Sequence, residues 1–175
     1  MNDRNILYDY VWDEETLDVY RQMCYHWEGK LFTKEQNRGN REVWEIENYP
    51  DPDNMVTAYL KHISALQRRQ FLKVLDKGYS VDTKLSRYKP GQDYQWHSDQ
   101  NTTTIDKKNP NWRRVISSVT YLNDGYEGGE TEFESDLITP VSGKTVVFPS
   151  CFLYPHRGTS VITGVKYLLV MHVWT

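Results

Sequence analysis

His97, Asp99 and His156 are the residues whose types and spacing most directly suggest chemistry. On a β-strand, side chains two positions apart share a face. His97 and Asp99 therefore present one nitrogen and one oxygen to a common ion, while Ser98 points away. His156, far downstream, can complete a set of two imidazoles and one carboxylate. Such a set fills three positions around a borderline metal, leaves others open to reactants, and is a donor pattern of non-haem Fe(II). Taken alone, the pair is better served by a His–Asp hydrogen bond on a sheet surface, because three-residue patterns are frequent by chance. Lys166 adds a cation suited to an acidic co-substrate. A surface lysine is the commoner fate of the type, yet this one adjoins the apolar run Tyr167-Leu168-Leu169-Val170-Met171, an odd place for an exposed charge.

The elements that must position these residues change character along the chain. Asp13 can cap a helix over 13–27, with Leu17, Tyr20, Cys24 and Trp27 at helical spacing. Residues 28–52 read as irregular or short extended pieces broken by Pro50 and Pro52, and 32–47 is a candidate covering loop. A second helix is expected over 53–75, with Met55, Tyr59, His62, Ile63, Leu66 and Phe71 on its inner face and Gly78 closing it. Beyond Gly78, segments 80–88, 93–99, 113–122, 130–134, 137–139, 144–148 and 165–174 are short and rich in Val, Ile, Tyr and Thr. Turn residues such as Lys89-Pro90-Gly91 and Asn123-Asp124-Gly125 separate them. Helices followed by many evenly spaced strands imply an α+β chain in which two antiparallel sheets enclose a cavity and the helices pack outside.

Bulk properties narrow the function classes. The 175 residues fit one domain, 1–175, with a helical N-terminal part over 1–78 and a β core over 79–175. Apolar residues make up 38% and aromatics 14%, enough for a core and suited to strands and pockets. A net charge of −3 gives no broad pull toward nucleic acid or anionic membrane. No apolar run approaches the roughly 20 residues of a membrane span, and the acidic N-terminus lacks the order of a signal peptide. Cys24 and Cys151 imply no disulfide framework. A cytoplasmic location is the resulting expectation, with no nucleic-acid or membrane partner.

The surroundings of the candidate ligands are specific. Tyr88 and a Pro90-Gly91 turn precede His97-x-Asp99, and Tyr121-Leu122-Asn123 leads to Gly128-Gly129-Glu130-Thr131-x-Phe133. Gly143-Lys144-x-x-x-Phe148-Pro149, His156-Arg157-Gly158 and Gly164-x-Lys166-Tyr167 follow in order. Over about 83–174 this series resembles the Fe(II)/2-oxoglutarate-dependent oxygenases, specifically their prolyl 4-hydroxylase-like branch. The resemblance implies a double-stranded β-helix, or jelly-roll, with N-terminal supporting helices. It also implies His97, Asp99 and His156 as iron ligands and as the catalytic centre. Lys166 and Tyr121 would hold the distal carboxylate of 2-oxoglutarate, and Tyr88 would line its pocket. The implied cofactors are Fe(II), 2-oxoglutarate and O2, with ascorbate as a candidate reductant. The implied reaction is hydroxylation of an unactivated C–H bond, with succinate and CO2 as co-products.

The remaining histidines fit packing or solvent better. His26 and His62 fall in helical segments. His172 shares the parity of Lys166, but about 20 Å of strand separates them, farther than a co-substrate reaching from metal to Lys166 would span. A packed core histidine is therefore expected. The polar segment 100–114 is either a surface connection or a lid. Trp112, Arg113, Arg114, Arg157 and Trp174 are candidate substrate contacts. Three readings compete. The leading one is hydroxylation of a prolyl residue in a peptide or protein. The second is hydroxylation of a free amino acid or other small metabolite. The third is a non-catalytic double-sheet binding module. The sequence carries no statement about oligomeric state.

Overall fold

The computed structural model describes residues 5–26, 33–35, 39–46, 53–65, 75, 78–100 and 111–175. In chain order these form β1 (Leu7–Tyr10), α1 (Glu14–His26), β2 (Thr33–Glu35), β3 (Arg41–Ile46), α2 (Asp53–Ala65), β4 (Ser80–Tyr88) and β5 (Tyr94–His97). There follow β6 (Arg114–Tyr121), β7 (Glu127–Gly128), β8 (Thr131–Phe133), β9 (Leu137–Ile138), β10 (Lys144–Pro149), β11 (His156–Gly158), β12 (Val161–Thr163) and β13 (Lys166–Trp174). A large sheet has the order β1-β10-β6-β13-β4-β3-β2 and a smaller one the order β5-β11-β8-β9, while β12 pairs with β7. Every strand pairing is antiparallel.

Strand β13 lies in the middle of the large sheet, and all nine of its residues are buried. Period-two alternation divides them. Tyr167, Leu169, Met171 and Val173 join Leu85, Ile116 and Val147 in a core shared with Leu17, Tyr20 and Cys24 of α1 and Met55, Val56 and Tyr59 of α2. Lys166, Leu168, Val170 and His172 face the other way and line a cavity between the two sheets. Leu168 and Val170 pack there with Tyr88, Tyr121, Phe133, Val146 and Phe148. Each fully buried apolar side chain on the helix-facing side contributes about 1.5–3 kcal/mol.

Helix α1 starts where the sequence indicates. The Thr16 amide donates to Asp13 Oδ1 at 2.8 Å, satisfying one of the free amides of the first turn. Arg21 ties the helix to the sheet by donating from Nε to the Leu122 carbonyl at 2.8 Å. The expected extension of the second helix over 66–74 lies outside the described residues. Among the described residues, no helix is long and apolar enough to cross a membrane.

The expectation of a covering loop over 32–47 is overturned for its described part. There β2 and β3 form a hairpin that extends the large sheet, with β3 antiparallel to β4. The short extended pieces expected over 28–52 are strands here, and the two charged residues that open β3 are buried against partners distant in sequence. Arg41 donates to the Tyr88 hydroxyl at 3.0 Å, and Arg87 forms an ion pair with Glu42.

Candidate active site

The smaller sheet brings the two imidazoles together. In the β5–β11 register His97 lies directly opposite His156, and their ring centroids are 4.2 Å apart. Asp99, just past the end of β5, is buried. His97 Nε2 lies 3.2 Å from Asp99 Oδ1, and His156 Nε2 lies 3.8 Å from Asp99 Oδ2. One ligand atom from each of the three residues falls within 4.8 Å of the others. Donors at about 2.0–2.2 Å from a common metal sit roughly 3 Å apart when adjacent in an octahedron, so small adjustments suffice. Ser98 points away and donates to the Ser150 carbonyl at 3.1 Å.

Both rings are oriented for the task. His97 Nδ1 lies 2.8 Å from the Gln95 carbonyl and His156 Nδ1 lies 3.2 Å from the Tyr154 carbonyl. A carbonyl only accepts, so each Nδ1 carries a proton and each Nε2 is turned toward Asp99. Burial holds His156 neutral, with a pKa lowered to about 4 against the pull of Asp99. Asp99 is held far below the usual carboxylate range: the neighbouring imidazoles overcome the opposing effect of burial. Phe133, Phe148 and Tyr94 wall the two rings with edge-on and tilted contacts. The set thus joins an ionised Asp99 and a neutral His156 to His97 at a place partly shielded from water, as a divalent cation requires.

Lys166 is a second, independent feature of the same cavity, which measures about 100 Å³. Its ammonium is buried, donates to the Gly129 carbonyl at 2.5 Å, and lies 5.1 Å and 5.6 Å from the ring centroids of Tyr88 and Tyr121. No carboxylate among the described residues forms an ion pair with it. Burial lowers its pKa to about 7, with Glu130 raising it and Arg41 lowering it further. Gly129, at φ 70°, makes room for the stem, because a Cβ there would lie 2.9 Å from Lys166 Cδ. A buried cation lacking a counter-charge fits one carboxylate of a dicarboxylic acid. The other end of such an acid can then reach the His–Asp–His cluster.

Of the two tyrosines assigned to this pocket, Tyr88 lines it and Tyr121 lies beside Lys166 without lining it, and both hydroxyls are engaged. Tyr121 donates to Thr131 Oγ1 at 2.7 Å, and burial pushes its phenol up, so it remains neutral. The Tyr88 hydroxyl accepts from Arg41, whose guanidinium lies 4.0 Å over the Tyr94 ring. Thr131, a member of the Gly128–Phe133 motif, and Arg41, which no motif marks, also line the cavity. Parity could have revealed Asp82 and Lys84, which alternate on β4 with Tyr88.

The substrate candidates separate. Arg157 lines the cavity, donates to Glu132 at 2.6 Å and lies 5.3 Å from the ring centroid of the exposed Trp96. Of the tandem arginines it is Arg114, not Arg113, that faces the cavity, because β6 begins at Arg114. Arg113 turns to the Trp112 carbonyl and exchanges backbone bonds with Thr175, and neither it nor Trp112 lines the cavity. Trp174 is not at the mouth. It is buried, with the Arg114 guanidinium 4.8 Å from its ring centroid. Residues 101–110 of the expected lid lie outside the described residues. His172 is corrected most sharply. It is buried as expected, yet its Nε2 lies 3.7 Å from Asp99 Oδ2. The roughly 20 Å of strand between Lys166 and His172 does not keep them apart, because the long lysine side chain and the imidazole both project into one cavity.

Two antiparallel sheets holding a His–Asp–His cluster beside a buried lysine define a metal-dependent enzyme of the jelly-roll class. The sequence profile of the 2OG-Fe(II) oxygenase superfamily matches residues 83–174, more than half the chain, and the protein belongs to that family. It is accordingly a 2-oxoglutarate-dependent dioxygenase whose family uses Fe(II), 2-oxoglutarate and O2. No curated protein matches it in sequence. Solved structures share the fold. A viral collagen prolyl hydroxylase from Paramecium Bursaria Chlorella virus-1, solved with 2OG, is 21% identical with a TM-score of 0.66, covering 98% of this chain and 96% of that one. A Pseudomonas putida prolyl-4-hydroxylase is 19% identical with a TM-score of 0.71, covering 97% and 91%. A Trichoplax adhaerens prolyl hydroxylase, solved with a hypoxia inducible factor peptide fragment, is 15% identical with a TM-score of 0.63, covering 98% and 84%.

Proposed function

We propose that this enzyme hydroxylates a prolyl residue of a peptide or protein. His97, Asp99 and His156 hold Fe(II), and Lys166 pairs with the distal carboxylate of 2-oxoglutarate. The observation that carries the site assignment is the convergence of three metal-ligating side chains and one buried lysine, without an ion pair among the described residues, on a single cavity. The prolyl assignment draws support from the activities named for proteins of the same fold. Bound iron supplies the O2 chemistry, coupling oxidation of 2-oxoglutarate to insertion of oxygen into a C–H bond. The protein's part is positioning and exclusion. The carbonyls of Gln95 and Tyr154 fix the ligand rings, Phe133 and Phe148 limit water, and Lys166 sets the direction in which the co-substrate lies.

A second reading, hydroxylation of a free amino acid or similar small acid, is favoured by one feature. Arg41, Lys84, Arg114 and Arg157 all line the cavity, where a substrate carboxylate could compete with Glu45, Asp82 and Glu132, the present partners of the last three. A panel of proline-containing peptides and free amino acids, incubated with Fe(II), 2-oxoglutarate and O2, separates the two by mass spectrometry. The expected result is one added oxygen on a prolyl peptide, matched by succinate and dependent on both iron and 2-oxoglutarate. Oxygen gained by free amino acids alone would overturn the prolyl assignment.

A further inference from the structure

The opening residue of β3 reaches both halves of the site. Arg41 is buried and lines the cavity. It donates from Nη1 to the Tyr88 hydroxyl at 3.0 Å, and its guanidinium lies 4.0 Å from the centroid of the Tyr94 ring. Tyr88 belongs to the large sheet and stands beside Lys166, whose ammonium is 5.1 Å from its ring centroid. Tyr94 belongs to the smaller sheet, and its ring meets that of His97 edge-on with centroids 4.6 Å apart. One guanidinium thus touches the wall at Lys166 and the wall at the metal cluster.

The backbone beside Arg41 is held as closely. Gly39 pairs with Tyr94 in an antiparallel bridge. A Cβ at Gly39 would run into the Asp93 carbonyl and the Tyr94 ring. The approach to β3 therefore lies directly on β5, which limits how far Arg41 can swing. Its flat face rests on one tyrosine while an in-plane N–H serves the other, a combination that suits a guanidinium and not an ammonium.

A guanidinium only donates, so the Tyr88 oxygen is the acceptor in this bond and the hydroxyl's own proton is directed elsewhere. Tyr88 and Lys166 line the same cavity. The ammonium is a point charge and fixes a carboxylate only loosely in direction. A neighbouring hydroxyl held at its oxygen supplies a second donor and orients the group. We propose that Arg41 is a positioning residue: its hydrogen bond holds the Tyr88 hydroxyl where the co-substrate carboxylate paired with Lys166 takes a second hydrogen bond. The proposal rests on the assignment of Lys166 to the co-substrate. Arg41 thereby favours a diacid over a monoacid of the same length.

Calorimetry with Mn(II) in place of iron measures binding without turnover. The probes are 2-oxoglutarate and 2-oxopentanoate, which carries a methyl group where the distal carboxylate stands. R41M should bind 2-oxoglutarate on the order of tenfold more weakly than the wild type, the scale of one hydrogen bond to a charged group. Its affinity for 2-oxopentanoate should be unchanged. Y88F should give the same two results, and R41M/Y88F should bind no more weakly than Y88F. Equal weakening of both probes in R41M would mean a merely structural role and would overturn the proposal. Losses that multiply in the double variant would overturn it as well, because Arg41 would then act without Tyr88. Y88F removes a single oxygen atom and keeps the test open if R41M does not fold: undiminished 2-oxoglutarate binding by Y88F also refutes the role. K166M separates this proposal from the assignment beneath it. Full 2-oxoglutarate affinity in K166M would overturn the assignment of Lys166, whereas a weakened K166M beside unaltered R41M and Y88F would overturn the role of Arg41 alone.

Discussion

The two faces of the large sheet have opposite characters, and β13 contributes alternate residues to each. Toward the helices, Leu169, Met171 and Val173 meet Leu85, Ile116 and the apolar sides of α1 and α2. Toward the cavity, Lys166 and His172 interrupt Leu168 and Val170, with Asp82 and Lys84 on the adjacent strand. The helix-facing side gains stability from dispersion and the hydrophobic effect. The cavity side carries desolvated polar groups whose burial is unfavourable unless something compensates them. Asp82 and His172 compensate each other, whereas Lys166 forms no ion pair among the described residues. The difference teaches that stability resides on one face and binding on the other, though both come from one strand.

The largest effect expected is on chemistry. His97→Ala removes one of three donors, and turnover with iron should fall below detection. Bound metal per chain, measured by atomic absorption, should fall with it. The unfolding midpoint of the metal-free protein should change little, because His97 is not fully buried and its ring packs mainly against Tyr94 and His156. A variant that binds iron and turns over normally would remove His97 from the centre.

Two substitutions on β13, three residues apart, set the faces against each other. Leu169→Ala creates a cavity in the helix-packed core and should cost about 2–5 kcal/mol in denaturant-induced unfolding. Affinity for 2-oxoglutarate should stay the same. Lys166→Met should do the reverse. Replacing an uncompensated buried ammonium by an apolar chain of similar length should leave the ligand-free protein at least as stable. The co-substrate carboxylate then loses its partner, at a cost of about 2–5 kcal/mol of binding by calorimetry. Equal losses of stability in both variants would dissolve the distinction between the faces.

The same alternation explains what the sequence makes legible. The HxD spacing, the His-Arg-Gly segment and the lysine in an apolar strand are local signals, and the structure gathers all four residues at one cavity. The strand runs beyond Gly78 are legible because turn residues bound them. The β2–β3 hairpin is not, since its charged residues are buried against partners distant in sequence, Arg87 and Tyr88. The choice of Arg114 over Arg113 depends on where β6 begins, a one-residue matter that composition does not encode. His172 had the right parity, but its closeness to Asp99 depends on how β13 crosses behind the smaller sheet. The hydrogen bond that ties Tyr121 to Thr131 likewise requires two strands to meet.

A smaller effect, and the one that most finely tests the cavity side, is pH dependence at Lys166. Its pKa is lowered from the ordinary 10.5 to about 7 by burial. Between these values the unfolded chain keeps a proton that the ligand-free folded protein has released. Stability from this group therefore rises as pH increases from about 7 toward 10.5, and that gain is lost as pH falls back to 7. Binding of a carboxylate works in the other direction, because it requires the ammonium. Above pH 7, 2-oxoglutarate should bind with uptake of one proton, and its affinity should fall by up to about tenfold per pH unit. Calorimetric titration in two buffers of different ionisation heat measures the uptake directly. Lys166→Met should bind weakly with no proton uptake and a flat profile over the same range. Wild-type binding without proton uptake at pH 8–9 would mean that the lysine keeps its charge when the site is free. The cavity side would then hold a ready counter-charge, and the contrast with the helix-facing side would rest on the metal donors alone.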